Sequence, residues 1–107
     1  MAKYLLMGSY TPEGVKGLMK DGGAKRKAAA EAAIKSVGAR MESFYFAFGE
    51  HDLYAVVDAP DNATLAGVAL AINAAGAARL ETVVLLSPED VDDALKKGAK
   101  YTPPGQA

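Results

Sequence analysis

The chain's single histidine, His51, stands between two acids, Glu50 and Asp52. Imidazole titrates closer to neutral pH than any other side chain, so His51 is the natural proton donor or acceptor of an acid–base site. Phenol and guanidinium groups hydrogen-bond substrate oxygens and anions. The predicted catalytic residues are therefore His51, Asp52 and Tyr10, and the predicted ligand-binding residues are Ser9, Tyr10, Glu50 and Arg79.

The same residues also have a structural interpretation. Residues 49–52 have the composition of a hairpin turn, and turns favour Gly, Asp and similar residues for backbone reasons alone. On that interpretation Asp52 accepts backbone N–H groups, and Arg79 pairs at the surface with Glu81 or Glu50 for little energy. The residues alone leave both interpretations open.

Several kinds of site are excluded by composition. The chain has no cysteine and one histidine, so disulfides, thiolate metal sites and multi-histidine sites within one chain cannot form. No phosphate loop, dinucleotide-binding glycine motif or nucleophile elbow occurs. We therefore expect no metal and no cofactor.

Hydropathy and charge indicate where the protein is located and which partners it can have. No stretch approaches the roughly 18 apolar residues of a membrane span, and the apolar run at the N-terminus is too short for a signal peptide. We expect a cytoplasmic protein without a membrane partner. Residues 1–40 carry eight Lys/Arg and three Asp/Glu (+5), and residues 41–107 carry four and ten (−6). The basic residues have no interleaved aromatic side chains, so we expect a solvated helix face and no nucleic-acid partner.

The first part of the chain predicts a strand and an interrupted helix. Residues 3–10 are apolar on both faces, which is typical of a strand in a covered sheet. Thr11 and Pro12 predict a helix start. Four glycines follow within residues 14–23, and each costs about 1 kcal/mol relative to alanine inside a helix. We expect one or two turns, a break at residues 21–23, and a firm helix over 24–37 that ends at Gly38.

The remainder predicts a hairpin, a helix, a strand and a short helix. Residues 40–48 and 51–58 form the hairpin around a tight turn at Gly49 and Glu50. Asp61 or Asn62 caps the next helix, which ends at Gly76, and residues 79–86 form the fourth strand. Alternation along the first hairpin strand predicts one face with Phe44, Phe46 and Phe48, and an opposite face with Met41, Ser43, Tyr45 and Ala47.

These elements predict an α+β fold of the ferredoxin-like kind. The order β-α-β-β-α-β gives a four-stranded antiparallel sheet of order 4-1-3-2 with two helices on one face. Residues 1–107 form a single domain, with a core over 3–86, a short helix at 88–97 and a Pro-rich tail at 98–107. The other sheet face keeps apolar side chains, so we expect a homodimer that pairs through it.

The strand order also predicts where the polar residues meet. Strand 1 ends where strands 3 and 4 begin, because both run antiparallel to it. Ser9 and Tyr10 should then lie at the same end of the sheet as His51, Asp52 and Arg79, with Glu50 nearby.

Four short motifs resemble those of the GYD domain family. They occur in the family's order, at residues 4–18 (YLLMGSYTPEGVKGL), 48–52 (FGEHD), 59–61 (APD) and 79–82 (RLET). The resemblance spans about residues 3–86, and the proline-proline-glycine tail at 103–105 is similar too. His51 stands where the family usually has tyrosine, which indicates a subfamily feature or tolerance at a turn. The resemblance implies a dimeric α+β barrel and leaves the activity open.

Three functions fit these observations. The first is binding of a small organic molecule or metabolite in a pocket between the sheet and the first helix. The second is a cofactor-independent enzyme, oxygenase- or isomerase-like, that uses His51, Asp52 and Tyr10. The third is a structural or regulatory dimerisation module.

Overall fold

The computed structural model describes residues 1–106, and within that range it contains four strands and four helices. Ala107, the end of the predicted tail, lies outside the described residues. None of the helices in the described range combines the length and the apolar character that crossing a membrane requires. In chain order the elements are β1 (Ala2–Tyr10), α1 (Pro12–Asp21), α2 (Gly23–Ser36), β2 (Arg40–Phe46), β3 (Leu53–Ala59), α3 (Asn62–Ala75), β4 (Ala78–Leu85) and α4 (Pro88–Lys96).

The four strands form one antiparallel sheet of order β2-β3-β1-β4. This is the predicted 4-1-3-2 order read from the other edge, so the ferredoxin-like α+β fold is confirmed. The central strand β1 pairs along most of its length with both neighbours, and Leu6 lies opposite Ala55 of β3 and Thr82 of β4. β1 therefore places β3 and β4 directly, and β2 through its pairing with β3.

The helices begin where the sequence predicts. The side chains of Thr11, Asp61 and Ser87 each accept a hydrogen bond from a backbone N–H in the first turn of the helix that follows. These caps satisfy donors that have no partner within the helix. At Ser87 the contact is reciprocal, because the Asp90 carboxylate accepts from the Ser87 N–H. Local sequence therefore determines the start of α1, α3 and α4.

The first helix is longer than predicted. The break lies at Gly22, whose φ of 84° is in the left-handed region, but α1 runs for ten residues before it. The prediction of one or two turns was wrong because Gly14 is required by packing. A Cβ at position 14 would overlap the carbonyl oxygen of Ala77 in the α3–β4 turn. That close approach offsets the poor helix propensity of glycine.

The hairpin also differs from the prediction of a tight turn. The strands end at Phe46 and resume at Leu53, and the loop between them is closed by a hydrogen bond from the Ala47 N–H to the Asp52 carbonyl. Phe48 is fully exposed, so it is outside the predicted phenylalanine face.

A β-bulge in β2 changes the predicted faces. The pairing register with β3 shifts between Met41 and Ser43, so Glu42 is an additional residue in the strand. One inserted residue reverses the alternation on either side of it. As a result Met41 lies on the same side of the sheet as Phe44, and not with Ser43 and Tyr45 as predicted.

The core lies between the sheet and helices α2 and α3. Tyr4 and Leu6 of β1 are buried there with Val57 of β3, Ile34 of α2 and Leu65 of α3. The opposite sheet face is defined here as the open face, and α4 does not cover it, since every residue from 86 to 106 is exposed. The open face carries the apolar side chains of Leu5, Met7, Tyr45, Tyr54, Val56, Val83 and Leu85.

Replacing Gly14 tests the contact between α1 and the α3–β4 turn. Gly14→Ala should lower the free energy of unfolding by about 1–3 kcal/mol, because backbone must move to admit the methyl group. Gly17→Ala is the matched control: apart from the chain neighbours and the backbone of its own helix, no atom lies within 4 Å of an added Cβ there, so it should raise stability by about 0.5–1 kcal/mol. Urea denaturation followed by circular dichroism measures both, and equal effects would contradict the proposed packing.

Candidate functional site

A cavity of about 160 Å³ lies between the sheet and α2. It exists because α2 presents alanines to the sheet, and alanine extends only one methyl group from the backbone. The sheet and α3 supply larger apolar side chains. Its lining consists of Leu6, Tyr10, Arg26, Ala29, Ala30, Ala33, Ile34, Met41, Phe44, Leu53, Ala55, Ile72, Ala78 and Leu80.

Two polar side chains line this cavity, Tyr10 and Arg26. Tyr10 is the last residue of β1, and Arg26 lies in the first turn of α2. The start of α2 approaches Phe46 at the end of β2, so both polar groups lie at the same end of the sheet. The cavity therefore has an apolar body and one polar end.

The Arg26 guanidinium is only loosely held. Its Nη1 atom lies 3.6 Å from Oδ2 of Asp21, and the side chain is 38% exposed. A charge-assisted hydrogen bond is normally about 2.7–2.9 Å long, so this ion pair leaves guanidinium donors available. Sequence reasoning missed Arg26, because the basic residues of the helix were assigned together to a solvated face.

His51 lies at the same end of the sheet but on the open face. Its Nδ1 atom is 3.1 Å from the Ser9 hydroxyl oxygen, and its Nε2 atom is 3.9 Å from Oε2 of Glu81. The ring packs edge-on against Tyr54, with centroids 5.8 Å apart, and only 13% of the side chain is exposed. The imidazole from the loop between β2 and β3 thus lies next to a hydroxyl of β1 and near a carboxylate of β4.

Asp52 forms hydrogen bonds with backbone groups of β1. Its carboxylate accepts a 2.7 Å hydrogen bond from the Tyr10 N–H, and its own N–H donates to the Gly8 carbonyl. These two bonds continue the pairing of β1 with the hairpin past the first residue of β3. Asp52 therefore fixes the loop that carries His51.

The structure brings some of the predicted site residues together and separates others. Ser9 and His51 are in contact, whereas the side chain of Tyr10 lines the cavity on the other side of the sheet. Consecutive residues of a strand point to opposite faces, and Ser9 and Tyr10 are consecutive. Arg79 lies opposite Ser9 in the β1–β4 register but is exposed, and Glu50 is exposed in the loop. The catalytic and binding roles of these residues stay predictions.

Glu81 was considered in the sequence only as a surface partner for Arg79. The signal that could have placed it beside His51 is its position two residues further along β4 than Arg79. Residues two apart in a strand share a face, and Ser9 lies opposite Arg79 on that face.

A second charged cluster lies at the other end of the open face. Asp58 is 7% exposed and accepts hydrogen bonds from Lys3 at 2.9 Å and Arg40 at 2.7 Å. Lys3 also donates to Glu42, the bulge residue, at 2.7 Å. The hydrogen bonds from Lys3 and then Arg40 lower the pKa of Asp58 below its ordinary value of 3.8. This cluster joins the first residues of β1 and β2 to the end of β3.

Comparison with known proteins gives one family. The model of the GYD domain matches residues 4–95. This range covers the cavity, the His51 loop, the sheet except for the first two residues of β1, and all but the last residue of α4. No curated protein and no solved structure matches the chain.

The Asp58 cluster predicts acid sensitivity. Because the pKa of Asp58 is lower in the folded chain, its contribution to stability is full above pH 3.8 and is lost as the pH falls through the folded-state pKa. Asp58→Asn should therefore lower stability at neutral pH and flatten the decline between about pH 5 and pH 2. Urea denaturation across that range measures the decline. Glu50→Gln, at an exposed position of the loop between β2 and β3, is the control, and an unchanged decline in Asp58→Asn would contradict the assignment.

Proposed function

The chain belongs to the GYD domain family, and on that premise we propose that it binds a small, mostly apolar organic molecule in the cavity between the sheet and α2. The observation that supports this proposal is the cavity itself: it has apolar walls and a polar end formed by Tyr10 and Arg26. Binding sites for small molecules commonly combine an apolar lining with a few placed polar groups.

The size of the cavity limits the ligand. An apolar cavity of about 150 Å³ in another protein stays dry and accepts benzene. The volume here, about 160 Å³, therefore suits one ring or a branched chain of similar size. A larger ligand would have to extend past Arg26 into solvent.

The polar end favours a ligand with an anionic group. The Arg26 guanidinium presents paired N–H donors that match the two oxygens of a carboxylate. The Asp21 carboxylate lies 3.6 Å from the guanidinium. A ligand carboxylate at hydrogen-bonding distance would interact with Arg26 more strongly than Asp21 does. The Tyr10 hydroxyl is a second donor at the same end. Single-ring aromatic carboxylates are thus the proposed ligand class.

Isothermal titration calorimetry with benzoate and phenylacetate tests this proposal, with benzyl alcohol as the uncharged probe. Arg26→Gln should weaken carboxylate binding by about tenfold or more, the scale of one lost charge-assisted hydrogen bond, and leave benzyl alcohol binding nearly unchanged. Lys25→Gln is the matched control, because Lys25 also pairs with Asp21 but does not line the cavity. Absence of saturable binding by every probe, or equal losses in both variants, would refute the proposal.

A second candidate function is acid–base catalysis at His51 without a cofactor. The observation that favours it is the Ser9 hydroxyl at 3.1 Å from Nδ1, with Glu81 near the other ring nitrogen. This arrangement can take up and return a proton on the open face. Tyr10, on the cavity side, would act with His51 only if the substrate passed around the end of the sheet.

Exchange of solvent deuterium into small keto acids, followed by proton NMR, tests this candidate. Wild-type protein should accelerate exchange at the carbon next to the carbonyl. His51→Gln should abolish the acceleration because it removes the titratable ring. Asp92→Asn changes an exposed carboxylate on α4 and should retain it. Exchange no faster with protein than without it would reject this function.

We also propose that two copies pair through the open face as a homodimer. Apolar side chains on that face, among them Met7, Tyr54 and Val83, are covered by no helix of the described chain. A contiguous apolar patch on a sheet favours association. Pairing would bury His51 more deeply and leave the cavity on the outer side of each sheet.

A further inference from the structure

The local sequence specifies the start of helix α4, but none of the helix's residues is buried. It has a complete capping box at Ser87 and Asp90. Leu86 precedes the cap and Val91 is the fourth helical residue, which are the two positions of a hydrophobic staple. All residues from 86 to 106 are exposed, and the molecule is elongated, with extents of 60 × 32 × 22 Å. The segment 86–106 is called the arm below.

A helix of this kind needs a packing partner. Isolated helices shorter than about 12–15 residues are marginal in water, and α4 has nine. Val91 and Leu95 lie one turn apart and form an exposed apolar stripe on it. Burial of such a stripe is what normally stabilises a short amphipathic helix.

Helix α1 carries a matching stripe. Val15 and Met19 are also one turn apart and exposed, and Lys16 and Lys20 lie beside them. The charges of the two helical regions are opposite in sign. Helices α1 and α2 together hold six Lys/Arg and three Asp/Glu, while α4 holds four Asp/Glu and one Lys. Antiparallel packing would set the acids of α4 against the lysines of α1, and Lys96 against Glu13.

The two stripes cannot meet within one chain. Helix α4 follows β4, whose Leu85 lies opposite Lys3 at the beginning of β1. Helix α1 follows Tyr10 at the other end of β1. Strands rise about 3.4 Å per residue, so the two helices start from opposite ends of a sheet roughly 25 Å long.

We propose that the arm of one copy packs on α1 of a second copy. A two-fold axis perpendicular to the strands places the arm end of each copy beside the α1 end of its partner, so both contacts form at once. The partner is a second copy of this chain because the chain itself carries the complementary apolar stripes and charges. This contact is separate from the proposed pairing of open faces. It also requires a second copy, but it uses residues of the arm and of α1 and none of the sheet.

Directed disulfide formation tests the contact, and the absence of cysteine from the chain makes the test specific. Purified Met19→Cys and Leu95→Cys proteins are mixed and oxidised. A mixed disulfide between them can form only between copies. It should form at least about tenfold faster than between Leu70→Cys and Leu95→Cys, because a bound pair holds its thiols at millimolar effective concentration. Leu70 is a fair control for Met19, because the two side chains are 71% and 80% exposed. Equal rates would overturn the proposal.

Charge reversal gives an independent measurement. Sedimentation equilibrium of the wild type should give twice the 11.1 kDa chain mass. Lys16→Glu with Lys20→Glu should raise the dimer dissociation constant by about tenfold or more. Asp92→Lys with Asp93→Lys should do the same, and an equimolar mixture of the two double variants should recover part of the loss. Asp92 and Asp93 lie outside the capping box, so these substitutions leave the N-terminal cap of α4 unchanged. A wild-type monomer, or unchanged dissociation constants in both variants, would contradict the arm contact.

A variant of the open face separates this proposal from pairing through the sheet. Val83→Asp places a charge on that face and leaves the arm intact. If it abolishes the dimer while the charge-reversed variants do not, the sheet pairing stands and the arm contact fails. If the charge-reversed variants weaken the dimer and Val83→Asp does not, the arm contact stands alone.

Discussion

Alternation of side chains along β1 decides which polar groups of this chain can act together. Strand β1 is central, so both of its faces are used: Tyr4, Leu6 and Tyr10 point toward the helices, and Ser9 points to the open face. Two neighbouring residues, Ser9 and Tyr10, therefore serve different sites, although both lie at the same end of the sheet. The cavity with its Arg26 end and the His51 cluster are separated by the thickness of the sheet, and a single small ligand inside the cavity cannot touch both. This separation is why binding in the cavity and proton transfer at His51 stand as two functions rather than one.

The end of the sheet where both sites lie is held by backbone contacts. The Thr11 hydroxyl donates to the Gly76 carbonyl, and the Thr11 N–H donates to the Ala77 carbonyl. Gly14 then allows α1 to approach Ala77 without a side chain between them. On the hairpin side, Asp52 bonds the Tyr10 N–H. These contacts position Tyr10 and the start of α1 from both directions, so the geometry of the candidate site depends on a glycine and on two polar side chains that need not contact a ligand.

Local signals predicted most of the fold. Caps at Thr11, Asp61 and Ser87, and the left-handed glycines at 22, 38 and 76, place the helix ends correctly because each depends on neighbours within a few residues. The bulge at Glu42 was not predictable in this way, since Glu42 is held by Lys3, which is distant in sequence. The pocket was expected between the sheet and the interrupted first helix, and the cavity is lined by the part of that segment that forms α2 and by no residue of α1. Its volume and the role of Arg26 depend on how far Ala29, Ala30 and Ala33 stand from the sheet. That distance depends on tertiary packing, which local sequence patterns do not specify. Strand order predicted only that Ser9 and His51 lie at the same end of the sheet, and their contact depends on packing.

The proposed arm contact would connect assembly with the ligand site. Helix α1 joins α2 through the single hinge residue Gly22, and the first turn of α2 carries Arg26. Asp21, the last residue of α1, is the carboxylate that faces Arg26 at 3.6 Å. A partner's α4 packed on Val15 and Met19 would hold α1 in place, and with it the position of Asp21. The competition between Asp21 and a ligand carboxylate for Arg26 would then differ between monomer and dimer. By thermodynamic linkage, a ligand that favours one of these states shifts the equilibrium toward it. The uneven distribution of charge along this nearly neutral chain thus acts in two places. It would attract the arm to α1 of a second copy, and it sets Asp21 against a ligand carboxylate for Arg26 at the end of the cavity.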